Sequence, residues 1–392
     1  EIAATQWDVR AAGSRLDAAR ALRRPTLGAV GGYMHHLDDQ RLIPTRYNAE
    51  PGIFDQDIYQ GDLVLKQPLF TGGRIVNEIR AAEWFRLSEE KRLSYTREEL
   101  VFNVSSTFYA ILGQREVIRS LAFSTDVMEA HRKQVSDLLA AQKAARVDLL
   151  RTEVRLADLR QNLVREENVL AVQKRLLMYL LGSGDDPDPI SIEGDLSVET
   201  FPAPSPEEFI PAALKNRGDY LAAKARLEAQ ARRVDAASAG HWPTVSLLGS
   251  YGFRAAGSGE SDDTGSIGVG LSVPLYEGGK TEAEIRQERA VLAAAQERIR
   301  KLELQIRQEV AVAVLDIRSI RERIQAIRQS VTQAEESLRI ERMKYNLSKG
   351  SITDVLDAQS ALLQSETSYA RAMADFRIAA ARLMFVSGKN LI

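Results

Sequence analysis
The carboxylates best placed to do chemistry are Asp354 and Asp357, in the stretch Tyr345-Asn346-Leu347-Ser348-Lys349-Gly350-Ser351-Ile352-Thr353-Asp354-Val355-Leu356-Asp357. Three residues apart, they share one face of a helix. Two roles fit them. Acidic side chains in a first helical turn complement the helix dipole, with Ser351 or Thr353 as the cap. Repeated by threefold symmetry, the pair would instead line the mouth of a tube with carboxylates, favouring cations and responding to pH. Sequence leaves both open. Glu277-Gly278-Gly279-Lys280-Thr281, after a strand pattern and before a helical one, has the look of a phosphate loop. Such a loop needs glycine where Pro274 stands, and the matching residues of the first half, Arg74-Ile75, suit no nucleotide. These glycines make a tight corner. His35-His36 lie beside Asp38-Asp39, but neighbours on an extended chain point to opposite faces and do not share a metal ion. With no cysteine there is no disulfide, thiolate site or thiol nucleophile, and no Ser-His-Asp set forms a nucleophile elbow. The chain reads as no enzyme, with no cofactor and no metal.

The elements that must position these residues come in two copies. Gln67-Pro68-Leu69-Phe70-Thr71-Gly72-Gly73-Arg74 is restated as Val273-Pro274-Leu275-Tyr276-Glu277-Gly278-Gly279-Lys280 at an offset of 206 residues. The same offset carries Asp148 onto Asp354, and Leu181-Gly182 onto Ser387-Gly388. A tandem duplication of a strand, corner and long-helix unit follows. The first repeat is 1–182, with helices at 1–24, 74–143 and 147–181 and strands at about 26–36 and 58–70. The second is 219–392, with helices at 219–240, 280–348 and 352–386 and strands at about 244–254 and 265–276. Between them, 183–218 is rich in proline and glycine and reads as a connecting belt, with one short strand candidate at Ile190-Ser191-Ile192.

The strand segments alternate. Ile267, Val269, Leu271, Val273 and Leu275 face one way and Ser266, Gly268, Gly270 and Ser272 the other. Four such strands cannot close a membrane barrel, whose smallest known form has about eight, whereas three chains would supply twelve. Tyr33, Tyr59, Tyr251 and Phe253 at the loop ends, with Trp242, Phe70 and Tyr276 at the helix ends, fit two aromatic girdles. A long helix at 280–348 would extend roughly 100 Å. Within it Ile306, Val310, Ala313, Ile317, Ile320, Ile324, Ile327, Val331, Ala334 and Leu338 keep strict 4-3 spacing, the seam of a coiled coil. Net charge is −2, from 52 basic and 54 acidic residues mixed along the chain, so no basic stripe points to nucleic acid. No run of apolar residues is long enough for a transmembrane helix. Glu1-Ile2-Ala3-Ala4 reads as helix interior, so a preceding segment carrying any export signal is expected; whether that segment bears a lipid anchor the sequence leaves open.

Taken together, these motifs resemble the TolC-type outer-membrane factors, the outer membrane efflux proteins. The resemblance rests on the duplicated Pro-Leu-aromatic-x-Gly-Gly-basic corner, the helix-proline-strand entries at Pro25 and Pro243, and Gly350-x-x-x-Asp354-Val355-Leu356-Asp357-Ala358 within a half-length repeat. It implies an α+β membrane protein: a homotrimer whose strands form a twelve-stranded β-barrel in the outer-membrane lipid and whose helices form a coiled-coil α-helical barrel in the periplasm. It implies the exit duct of a tripartite efflux pump or type I secretion system, passively conducting substrates and partnered by a periplasmic adaptor protein and an inner-membrane transporter. Asp354 and Asp357 match the family's acidic aperture pair, and Tyr345 and Asp148 match a linked pair that holds the aperture closed. The arginine latch of the family's best-known member aligns with Gly350 here, leaving Lys349 or Arg146 as the cation to replace it. Pro68, Gly72, Gly73, Pro274, Gly278 and Gly279 would be the strand-to-helix corners. A periplasmic coiled-coil adaptor or scaffold is the alternative; it would share the heptads but lack amphipathic strand pairs.

Overall fold
The alternating segments form one antiparallel sheet in the computed structural model, which describes residues 1–43, 53–183, 191–197, 204–347 and 349–389. Its order is β1-β2-β3-β4, with β1 at Thr26–Ile43, β2 at Ile53–Phe70, β3 at Thr244–Ala256 and β4 at Ser261–Ser272. Opposed residues of an antiparallel pair share a face. The register therefore gathers one parity from all four strands: Leu27, Leu65, Gly249 and Ile267 form one row, and Ala29, Leu63, Tyr251 and Gly265 the next. Rows on the other face run Gly28, Val64, Ser250, Ser266 and Gly32, Gln60, Arg254, Asp262. Leu63, Tyr251, Ile267 and Val269 are exposed, so among the described residues nothing covers the apolar face. Phe253 lies over Gly61, where an added Cβ would be 2.7 Å from the ring, and Tyr251 covers Gly265 in the same way. Aromatic rings thus fill the space that strand glycines leave.

Several bounds differ from those the sequence predicts. β1 and β2 run past 36 and start before 58, and the Tyr33 and Tyr59 rings, 4.9 Å apart, lie inside the strands and not at their loop ends. Beyond Tyr33 the alternation gives out at Met34-His35-His36-Leu37, and pairing persists through a register shift between His35 and Gln40. Tyr33 and His35 both reach Asp57 across the strands, each at 2.7 Å. β4 begins earlier than 265, where Asp262 opposes Arg254, and ends at Ser272. Pro274 carries no amide hydrogen to continue the ladder, which leaves Val273 and Leu275 outside the strand. The belt holds a helix, α4 at Pro206–Asn216, that the sequence reading lacks. Of the strand candidate there, Ser191 and Ile192 are not in a strand and Ile190 lies outside the described residues.

The remaining helices are α1 at Ile2–Ala21, α2 at Arg74–Ala140, α3 at Arg146–Leu181, α5 at Gly218–Ser238, α6 at Lys280–Asn346 and α7 at Ile352–Val386. Among the described residues no helix is long and apolar enough to cross a membrane. Two compact units form, and α2 and α6 run through both: Glu1–Leu93 with Asp219–Lys301, and Ser94–Gly218 with Leu302–Ile392. In the first, Leu16 of α1 packs with Ile75 and Ile79 of α2. The buried Glu89 carboxylate is compensated by Arg92 at 3.4 Å and Arg226 at 3.6 Å, as a buried charge requires. In the second unit the α6 seam is buried or half-buried throughout, with Ile306, Val310 and Ile317 fully enclosed. α7 is buried on more than one side and uses alanine to come close to its neighbours. At Gly113 of α2 an added Cβ would stand 2.5 Å from the Ala374 Cβ, which explains a glycine in mid-helix. Gly113→Val should therefore destabilise the folded protein by about 1–3 kcal/mol through overpacking, read as a lowered denaturation midpoint; an unchanged midpoint would show that the two helices can separate freely. Buried Arg217, following α4, donates to Glu309 at 2.5 Å and to the Val386 carbonyl at 3.5 Å, which fastens the belt to α6 and α7.

Candidate functional site
The turns joining α2 to α3 and α6 to α7 are built alike. The Lys143 amide donates to the Leu138 carbonyl and the Lys349 amide to the Lys344 carbonyl, each at 2.8 Å, and these pairs are related by the repeat offset. The next helix starts alike as well. Asp148 Oδ2 accepts from the Ala145 amide at 3.3 Å, and Asp354 Oδ2 accepts from the Ser351 amide at 3.2 Å. Ser351 is the cap of α7, its Oγ accepting from the Thr353 amide at 3.1 Å. Thr353 is engaged elsewhere, accepting from Arg151 Nη1 at 3.0 Å. Asp354 thus helps start a helix. Asp357 is exposed one turn on, and among the described residues it makes no hydrogen bond or ion pair.

Tyr345 is brought into the core beneath these turns. Its ring joins Val117, Leu121, Met128 and Val135 of α2, Leu156 and Leu159 of α3, and Ile352 and Leu356 of α7. Burial, and then the charge of Asp148, hold its phenol above the usual tyrosine value, so it remains a hydrogen-bond donor at neutral pH. Asp148 thus acts on Tyr345 through its charge, with no hydrogen bond between the two among the described residues, while Lys349 is exposed in the turn. Gly350 has a local reason to be glycine: an added Cβ would be 2.9 Å from the Lys344 Cβ and 3.2 Å from the Tyr345 nitrogen. Arg146, at the first position of α3, is exposed.

Sequence reasoning missed a polar network that runs from the edge of this core to buried Gln359 and Ser124. Arg342 Nη2 donates to Gln359 Oε1 at 2.6 Å, and Gln359 Nε2 donates to Ser124 Oγ at 3.2 Å. His131 stacks edge-on to Tyr345, ring centres 5.8 Å apart. The signal was present: Val117, Leu121, Ser124, Met128, His131 and Val135 keep seam spacing along α2.

The two strand-to-helix corners share a backbone. Gly72 and Gly73 have φ of 62° and 89°, Gly278 and Gly279 φ of 65° and 80°. Each pair occupies the left-handed region that glycine enters without penalty. After each corner the helix opens with the same bonds, Asn77 to the Gly73 carbonyl at 3.0 Å and Ala283 to the Gly279 carbonyl at 3.1 Å. The prolines differ: Pro68 sits in β2 opposite Ser246, next to a register shift, and Pro274 lies past the end of β4. Surroundings differ too. A Cβ on Gly72 would meet the Trp242 Cβ at 2.4 Å, whereas Gly278 has open space. Gly278→Ala should cost about 1–2 kcal/mol for conformation alone, and Gly72→Ala visibly more, in parallel thermal denaturation; equal losses would mean that Trp242 yields.

The description "Outer membrane efflux protein" belongs to the family model that matches residues 1–183 and 209–389. The outer membrane efflux protein BepC of Brucella suis is 25% identical over 239 residues, 59% of this chain and 50% of that protein. The outer membrane protein TolC of Vibrio cholerae is 22% identical over 299 residues, 73% of this chain and 64% of that protein. The chain thus spans between half and two thirds of the length of these curated relatives. The solved outer membrane protein VceC of Vibrio cholerae superposes with a TM-score of 0.81 at 19% identity, covering all of this chain and 93% of that one, and so shares its fold. With the family model covering both repeats, the chain belongs to the outer membrane efflux protein family.

Proposed function
We propose that this protein is the outer-membrane exit duct of a tripartite efflux pump or type I secretion system, conducting substrates passively while a partner supplies the energy. The uncovered apolar face of the four-stranded sheet is the observation that carries this reading. Its edges, β1 and β4, have no strand partner among the described residues. Unpaired edges cannot lie in lipid, and three copies joined edge to edge would close a barrel of about twelve strands. A homotrimer, a periplasmic adaptor protein and an inner-membrane transporter are the partners of such a duct, and it is a conduit and not a catalyst. Residues 1–182 and 219–392 are its two repeats, with 183–218 as the belt between them. The family match falls in two stretches, in keeping with that division.

The turns that join α2 to α3 and α6 to α7 are its gated aperture. Beside them on α7, Asp357 makes no hydrogen bond or ion pair among the described residues, so its carboxylate is free to act on passing ions, while Asp354 combines capping with the same role. Tyr345 and Asp148 hold the closed state through the core beneath the turns, and Lys349 is an exposed cation beside them. Single-channel recording in planar bilayers tests the duct: discrete cation-selective steps are expected, and failure to insert where a known barrel inserts would favour the periplasmic scaffold. In the same assay Tyr345→Phe with Asp148→Ala should raise resting conductance severalfold; unchanged leakage would remove those two residues from the gate.

A further inference from the structure
His131 is a titratable group at a position where coiled coils carry apolar side chains. It holds the α2 seam position between buried Met128 and Val135; the residue is half-buried, but its Nε2 is buried and has no hydrogen-bond partner among the described residues. Around it, α6 contributes the Arg342 cation and the Tyr345 ring, and α2 contributes the Gln134 amide. Asp148 of α3 acts on the same Tyr345, and α7 presents the apolar Ile352 and Leu356 together with Gln359, the partner of Arg342. No carboxylate forms an ion pair with the imidazole among the described residues.

We propose that His131 is a proton-sensitive joint: a proton taken up at Nε2, on the α2 seam, adds a cation facing exposed Arg342 at the seam's edge and loosens α2 from Tyr345. An unpaired charge in such a core is costly, and like charges at this range add to the cost. Two neighbouring groups lean the same way. Burial first, and Arg342 second, hold the His131 ring below its ordinary value, against a smaller upward pull from Gln134. Partial burial of the guanidinium also lowers Arg342 from the usual arginine value. The sign follows from linkage. The packed state favours neutral imidazole, so its full stability is present above the ordinary histidine value of about 6.5 and is lost as pH falls through the lower value in the folded protein. The consequence for transport, easier opening in acid, rests on the duct reading; the joint itself does not.

Hydrogen exchange of the detergent-purified full chain tests the joint, following peptides across 128–150 and 338–356 on either side of about pH 6.5 after correction for intrinsic exchange. In the unsubstituted protein, protection there should fall on acidification, by roughly tenfold in the opening equilibrium for each unit by which the ring is depressed, while peptides of α5 hold theirs. His131→Gln should flatten the response, and Arg342→Gln, which removes the neighbouring cation, should move its midpoint upward. Asp357→Asn should leave it intact. A response that persists unchanged in His131→Gln, or protection that ignores pH in the unsubstituted protein, would overturn the proposal. Conductance in bilayers is a separate readout: its absence would overturn the duct and leave the exchange result standing.

Discussion
Arginine in place of Leu63 or Val269 is expected to cost about 2–4 kcal/mol each in a folded, lipid-inserted barrel. Both residues lie on the exposed apolar face, Leu63 on β2 opposite Ala29 and Tyr251, and Val269 on β4 opposite Leu247. If that face meets hydrocarbon, the guanidinium has no water and no partner there, and the cost approaches the value found at the bilayer midplane. Arginine at Ser250, on the opposite face and bonded to Ser266 at 2.8 Å, is the control. Turned toward a water-filled lumen, it should cost little. The measurement is folding into lipid vesicles across a denaturant series, with recovery from outer-membrane fractions alongside. Equal penalties on both faces would mean that the sheet does not divide lipid from water.

The second large effect is on ion selectivity. Asp357→Asn should reduce cation preference severalfold with little change in stability, because Asp357 supports no other group among the described residues. Asp354→Ala should behave differently. It removes the acceptor of the Ser351 amide at 3.2 Å and should cost about 1 kcal/mol as a lost helix cap, together with part of the selectivity. Reversal potentials in a salt gradient and a denaturation midpoint for each variant separate the two contributions. A selectivity that survives both substitutions would assign these aspartates to helix starting alone.

How far the sequence reached can be judged element by element. The parity of Ile267, Val269 and Leu271 and the seam from Ile306 to Leu338 announced their buried or grouped faces, because a single periodic contact decides them. The hairpin beyond Tyr33 was not legible, since its pairing rests on cross-strand partners such as Asp57 and not on alternation. α4 was hidden by its prolines: Pro206 takes the first helical position, where no amide is needed, yet it reads as a break. At the turns, the offset linking Asp148 to Asp354 was plain, but the identical bond each makes to a preceding amide was not. His131 was overlooked because one histidine in a long helix carries no signal until the seam around it is counted.

The two bare edges of the sheet bear on inheritance. In the proposed ring of three, every member offers β1 to one neighbour and β4 to the other, so a single damaged edge breaks the whole circle. A cell making intact and edge-damaged chains in equal amounts would form only about one ring in eight without a faulty member. Lesions along β1 and β4 should therefore be dominant, suppressing the normal allele's product. Lesions that merely unfold the chain, in the seam around Ile317, should be recessive, because an unfolded chain never reaches the ring.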